Sequence, residues 1–299
     1  DWQLLARVDT RKEETEPGGQ YGVRVANREG TLGRFKFLLF KVETTNPGDR
    51  FAQTFFSEID VVAADDPAPE AIGASEPARE IVRVETGKYE LNIDVTETPD
   101  LKEWVSSKLA PVVKEWYPKI VAMLPSEGYE APERVSIQFL ADMNGVANAS
   151  GSRIRCAARW MRQNLEGEAV GAVVHELVHV AQNYRGRRGN PDATRTPGWV
   201  VEGVPDYIRW FIYEPQTKGA EITRRNLSRA RYDANYRITA NFIDWVVRKY
   251  DPELIVKLNA AAREGRYREE LWKEWTGKEL SALDEAWRTE HEERLKDQN

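Results

Sequence analysis

Along the first sixty residues, β-branched and aromatic side chains come in short runs, at residues 21–25, 35–43 and 53–62. They are punctuated by Pro17-Gly18-Gly19, the stretch 27–30 and Asn46-Pro47-Gly48-Asp49. Such spacing predicts a small all-β module over residues 1–63. Residues 64–80 then shift to Ala, Pro, Asp and Glu, with Pro67, Pro69 and Pro77 and almost no large apolar residue, so this stretch reads as a linker.

From residue 81 to 299 the pattern becomes mixed. Residues 81–85 and 89–96 read as strands, the second alternating Leu91, Ile93 and Val95 against Asn92 and Asp94. A long helical region follows, with Thr98 as its cap and Pro99 in its first turn. Its apolar stripe is Leu101, Val105, Leu109, Val112, Trp116, Ile120 and Leu124, and Pro111 and Pro118 predict kinks. Residues 135–140 and 153–158 are strand-like. Residues 168–184 are apolar nearly all round, which predicts a buried central helix. The last hundred residues are helical: Asp251-Pro252 opens a helix over 253–264 that Gly265 ends, and Ser281 with Asp284 reads as a capping box. The fold class expected is α+β, a mixed sheet followed by a mostly helical C-terminal part.

Charge and composition narrow the function. Lys plus Arg number 43 against 49 Asp plus Glu, a net charge of −6, which removes the cationic field that nucleic-acid binding needs. No apolar run approaches the ~18 residues of a membrane span. One cysteine, Cys156, excludes an internal disulfide framework and reads as a small buried hydrophobe. The sequence opens on Asp1 with no charged-then-apolar leader, which fits either a signal peptide already removed or a trimmed chain, and the expectation taken forward is the first, a secreted or periplasmic protein.

Two of the three histidines stand in His175-Glu176-Leu177-Val178-His179, an H-E-x-x-H motif. At about 100° per residue, the two imidazoles lie ~40° apart and one turn apart, so both reach one Zn²⁺. Glu176 falls ~60° from His179 on the same side, free to face a water on the metal without being a ligand. The alternative is a buried helix with two core histidines. A catalytic zinc site needs a third protein ligand. The segment Gly198-Trp199-Val200-Val201-Glu202-Gly203-Val204-Pro205-Asp206-Tyr207 offers Glu202. Asp206, four residues on, lies on the same helical face and is placed to accept a hydrogen bond from the non-ligating nitrogen of His175.

These two segments resemble the gluzincin metallopeptidases and, more narrowly, the basic secretory protein family of plants and bacteria. That family's W-x-x-E-G-x-A-D-Y segment, its Y-R-x-T-A helix start and its closing T-G-K are echoed here. The matching residues are Trp199 to Tyr207, Tyr236-Arg237-Ile238-Thr239-Ala240 and Thr276-Gly277-Lys278, in a similarity covering residues 88–291. The resemblance implies a zincin-like metallopeptidase domain, one Zn²⁺ per chain on His175, His179 and Glu202, Glu176 as catalytic base, and a peptide or protein substrate. Two features depart from the pattern. The chain is acidic, and Pro205 stands where the family has Ala, which removes the helical bond to Val201 and predicts a kink just before Asp206. The G-x-M-E-N strand of aminopeptidase relatives does not occur, which points to an endopeptidase.

Peptide hydrolysis also needs an oxyanion donor. Tyr207, Tyr232 and Tyr236 are candidates, and Tyr236 is preferred because it opens the helix that resembles the family's. Residues 153–158 are the candidate sheet edge for an extended substrate, behind the small residues Ala149-Ser150-Gly151. Arg185, Arg187 and Arg188 read as a basic surface loop, and His291 as a residue on a solvated helix face. Most tryptophans, Trp104, Trp116, Trp245 and Trp287 among them, fall at helical core spacing. In the N-terminal module, Gln53-Thr54-Phe55-Phe56-Ser57-Glu58-Ile59-Asp60-Val61 resembles the closing strand of discoidin-like and other carbohydrate-binding β-sandwiches, which makes a glycan a further candidate ligand. The function expected is zinc-dependent peptide hydrolysis outside the cytoplasm. The alternative is a non-catalytic glycan or cell-wall binder with a structural or vestigial zinc site.

Overall fold

The computed structural model describes residues 79–184, 193–234 and 236–297, with isolated positions (4–6, 35 and 38–40) before them. The chain divides into two compact units, Asp1–Ser75 and Glu76–Asn299. The expected module over 1–63 and the linker over 64–80 lie almost wholly outside the described residues, as do Arg185, Arg187 and Arg188.

In the second unit, β1 (Ile81–Thr86) and β2 (Tyr89–Asp94) form an antiparallel hairpin with Val84 opposite Leu91. With β3 (Arg134–Leu140), β4 (Ala147–Ser150) and β5 (Arg153–Ala157) they make a five-stranded sheet of order β1-β2-β3-β5-β4. β2, β3 and β5 are parallel, and β4 is antiparallel to β5. Ile93, Ile137 and Ile154 stand in one row across the sheet and are fully buried. Each such side chain contributes roughly 1.5–3 kcal/mol of hydrophobic stabilisation, which secures the register.

A parallel neighbour demands a crossover, and residues 99–123 supply it. They run as a 3-10 turn (Pro99–Leu101), α1 (Lys102–Trp104), a π turn (Val105–Leu109) and α2 (Ala110–Met123), continuous through Pro118. The fully buried stripe is Leu101, Val105, Leu109, Val113, Tyr117, Ile120 and Leu124. Val112 and Trp116, expected on that stripe, flank it half-buried. The wider i→i+5 turn explains the difference, because it keeps residues four apart on one face where a regular α-helix would let them drift. Thr98 is not a side-chain cap either: its hydroxyl is buried and makes no hydrogen bond.

The helices that follow are α3 (Ala158–Gln163), α4 (Ala169–Gln182), α5 (Gly198–Tyr207), α6 (Tyr236–Lys249), α7 (Leu254–Arg263), α8 (Glu270–Thr276) and α9 (Leu280–Lys296). α4 packs on β4, β5 and α2, and α5 is wedged between α4 and α6. α5 continues into a second π turn, Ile208–Tyr213. Asp251 accepts from the Glu253 N–H at 3.0 Å, and α7 ends before Gly265, which takes φ +67°. The expected capping box at α9 does not form. Ser281 lies inside the helix, and Asp284 instead accepts from the Tyr232 N–H at 2.8 Å, 52 residues away. His291 is not on a solvated face: its Nε2 bonds Asn241 Oδ1 at 3.0 Å and its ring meets Trp287 edge-on. The unit is thus a mixed five-stranded sheet with a mostly helical C-terminal part. Among the described residues no helix is long and apolar enough to cross a membrane.

Candidate functional site

α4 is buried on nearly every side, so its few polar residues are held against specific partners rather than solvated. His175 and His179, one turn apart, direct their Nε2 atoms to the same point, 3.1 Å from each other. Glu202, from α5, brings Oε2 to 3.0 Å from His179 Nε2 and 3.3 Å from His175 Nε2. Among the described residues these three form the one group of His, Cys, Asp or Glu that could hold a metal ion. Ligand atoms bound tetrahedrally at about 2.0–2.1 Å from zinc lie ~3.3 Å from one another, so the observed 3.0–3.3 Å triangle fits such an ion. Two imidazoles and a carboxylate also suit zinc better than the all-oxygen set that Ca²⁺ or Mg²⁺ prefers.

The electrostatics agree with that geometry. Burial disfavours the charged form of His175, but the hydrogen bonds that the charged ring donates to Asp206 and Glu202 outweigh it and raise its pKa to about 9. Burial likewise works against the Glu202 carboxylate, yet the two histidines hold it down at about 2. The pocket therefore draws positive charge to the point where the three ligand atoms meet.

Each ligand ring is held from behind. His175 Nδ1 lies 2.7 Å from Asp206 Oδ1, and Asp206 is 4% exposed. Pro205 stands inside α5, and the kink expected there does not carry Asp206 away from His175. His179 Nδ1 lies 2.8 Å from Oε1 of Gln182, a residue absent from the sequence-based candidates. The signal was available, since Gln182 stands three positions beyond His179, on the same face of an otherwise apolar helix.

Glu176 borders the same cleft, an open hollow of about 1090 Å³. Burial raises its pKa, while the two histidines and the Ala149 backbone N–H act in the opposite sense. β4 forms one wall. The expectation that residues 153–158 are the free edge is corrected here: β5 lies between β3 and β4, and β4 is the edge strand. Its Ala-Asn-Ala-Ser sequence has little β propensity, so pattern reading passes over it. Cys156 is fully buried and burial pushes its thiol pKa up, as suits an inert core residue.

Of the three tyrosines, Tyr236 alone lines the cleft, 54% exposed and edge-on to His175 with centroids 6.3 Å apart. Tyr207 is buried and stacked on Phe211, and Tyr232 packs edge-on against Trp199. Beside Tyr236, Arg237 and the buried Arg209 share Glu168, at 2.6 and 3.0 Å, and Arg209 also pairs with Glu214 at 2.6 Å. This ionic wall joins residues up to 69 apart and carries no local sequence signature.

The family model described as peptidase of plants and bacteria matches residues 93–288. No curated protein and no solved structure matches the chain. With well over half of its 299 residues matched, the chain belongs to this family of plant and bacterial peptidases, the basic secretory protein family.

Proposed function

We propose that the protein is a zinc-dependent endopeptidase acting on peptides or proteins outside the cytoplasm. The observation that carries the reading is the triangle of His175 Nε2, His179 Nε2 and Glu202 Oε2, with sides of 3.0–3.3 Å, beside Glu176 in an open cleft. His175, His179 and Glu202 would hold the ion. What zinc supplies when bound is Lewis acidity, which acidifies water and polarises a carbonyl.

The chain's own groups do the rest. Glu176 takes the proton of the attacking water and returns it to the leaving amine, and its burial, by raising its pKa, makes the protonated intermediate state accessible. Asp206 accepts the Nδ1–H of His175, which leaves Nε2 with its lone pair towards the centre. Tyr236, which lines the same cleft beside His175, offers its hydroxyl to the oxyanion. β4, the edge strand of the sheet among the described residues, offers an extended peptide a strand to lie beside. An open cleft and the missing G-x-M-E-N strand favour internal cleavage over removal of single N-terminal residues.

The test is metal analysis of the purified protein together with cleavage of a peptide library, run beside Glu176→Gln. The expected result is about one zinc per chain in both proteins and cleavage by the parent alone. A folded protein that takes up no zinc at micromolar concentration, or equal cleavage by both proteins, overturns the proposal.

A further inference from the structure

Helix α5 carries a proline where a regular helix needs a donor. Pro205 has no N–H, so the carbonyl of Val201, four residues earlier, has lost its helical partner. That carbonyl accepts instead from Nε2 of Gln182 on α4, at 3.1 Å. Gln182 is 1% exposed, and its Nε2 also reaches the Tyr184 hydroxyl at 3.3 Å. Its backbone is locked as well, since the Arg263 guanidinium donates to the Ala181 and Gln182 carbonyls at 2.8 and 3.0 Å.

This arrangement decides which way the amide points. A carbonyl can only accept, so the NH₂ of Gln182 must face Val201 and its oxygen must face His179 Nδ1, at 2.8 Å. An amide oxygen also only accepts, so Nδ1 must carry a proton, and the neutral ring then has its lone pair on Nε2, the nitrogen that would face the metal beside Glu202. We propose that Gln182 is the positioning residue of His179, and that Pro205 frees the Val201 carbonyl that orients it. His175 is fixed by a carboxylate and His179 by a neutral amide. One buried side chain thus ties a histidine of α4 to the backbone residue next to Glu202, and joins two of the three ligands into one unit. The inference rests on the zinc reading above.

The test uses the full chain and four variants, Pro205→Ala alone being the fourth so that the cycle closes, with zinc affinity read by competition against a chromophoric chelator. Gln182→Met keeps the length and apolar bulk but cannot accept from His179. It should weaken zinc binding by about 10- to 100-fold. Gln182→Glu keeps an acceptor for Nδ1–H but faces the Val201 carbonyl with a second acceptor, so it should recover part of the loss. Adding Pro205→Ala to Gln182→Glu gives that carbonyl a helical donor and should recover more, a non-additive gain that simple packing would not produce. Selective ¹⁵N labelling of the three histidines supplies a readout independent of turnover. In the zinc-loaded parent the His179 Nδ1–H should be protected from exchange, and in Gln182→Met that protection should vanish while that of His175 remains. If the parent binds no zinc, the functional reading falls and this inference with it. If the parent binds zinc and Gln182→Met binds it as tightly, with His179 Nδ1–H still protected, the inference alone falls. A loss of affinity that Gln182→Glu does not recover, with a lower metal-free melting temperature, assigns Gln182 to packing and also overturns it.

Discussion

Gly203 and Thr239 are packed so closely that a Cβ on Gly203 would overlap the Thr239 methyl group and press on Ile243 Cδ1 at 3.1 Å. This is the seam between α5 and α6, one residue past Glu202. The methyl cannot swing aside freely, because the Thr239 hydroxyl donates to the Tyr232 carbonyl at 2.6 Å.

Gly203→Ala should therefore destabilise the protein by about 1–3 kcal/mol, the usual cost of overpacking, and displace Glu202. Thr239→Ser removes the obstructing methyl and keeps the hydroxyl bond. The double variant should accordingly melt above Gly203→Ala alone, and calorimetry of the four proteins measures the coupling. Additive effects would show that the seam relaxes elsewhere.

Removing the Tyr236 hydroxyl tests the oxyanion assignment. Tyr236→Phe should lower kcat by about 10²–10³ with zinc content and KM little changed, because the donor acts only on charge that develops in the transition state. Parallel losses in kcat and zinc content would instead make the tyrosine a support for the His175 ring it faces.

Asp206→Asn replaces a buried carboxylate by an amide and removes the negative charge that favours proton donation from His175. Zinc affinity should fall by about 10- to 100-fold with the metal-free melting temperature nearly unchanged. An affinity equal to the parent's would show that His175 keeps its orientation without that charge.

His291 sets an acid limit on stability. Burial, helped by the neighbouring Arg294, lowers its pKa from 6.5 to about 4. The unfolded chain protonates near 6.5 and the fold resists until about 4, so the unfolded state binds more protons in that window and stability declines as pH falls through it. Allowing for solvent screening at a partly exposed ring, the loss is about 1–2 kcal/mol. Urea unfolding of His291→Gln between pH 7 and 4.5 should show a flatter pH dependence than the parent, and parallel curves would refute the role.

The parts of the site legible in the sequence are those whose geometry is local. His175, Glu176 and His179 share one helical turn, and Glu202 and Asp206 another, so their spacing alone places them on common faces. Strands with apolar alternation were legible for the same reason, and β4, built of Ala, Asn and Ser, was not. Local patterns also misled where a distant partner competed: Asp284 bonds Tyr232 across 52 residues instead of capping α9. Arg209, Glu168 and Arg237 meet only through tertiary packing, and no spacing announces them. Gln182 stood beside the motif, but its meaning depended on a carbonyl freed 19 residues away.

The two π turns differ in what they say about insertion and deletion. A π turn is an α-helix holding one extra residue, with both flanks in their original orientation. In Val105–Leu109 the middle residues Ser106 and Ser107 are exposed, so deleting one would leave a regular helix that still buries Leu101 and Val105 before the deletion and Val113 and Tyr117 after it. In Ile208–Tyr213 the first three positions, Ile208, Arg209 and Trp210, are all buried, and Arg209 holds both Glu168 and Glu214. A deletion that removes or turns Arg209 there takes part of the cleft wall with it. Chain length is thus free to vary by one residue beneath the sheet and is fixed beside the cleft.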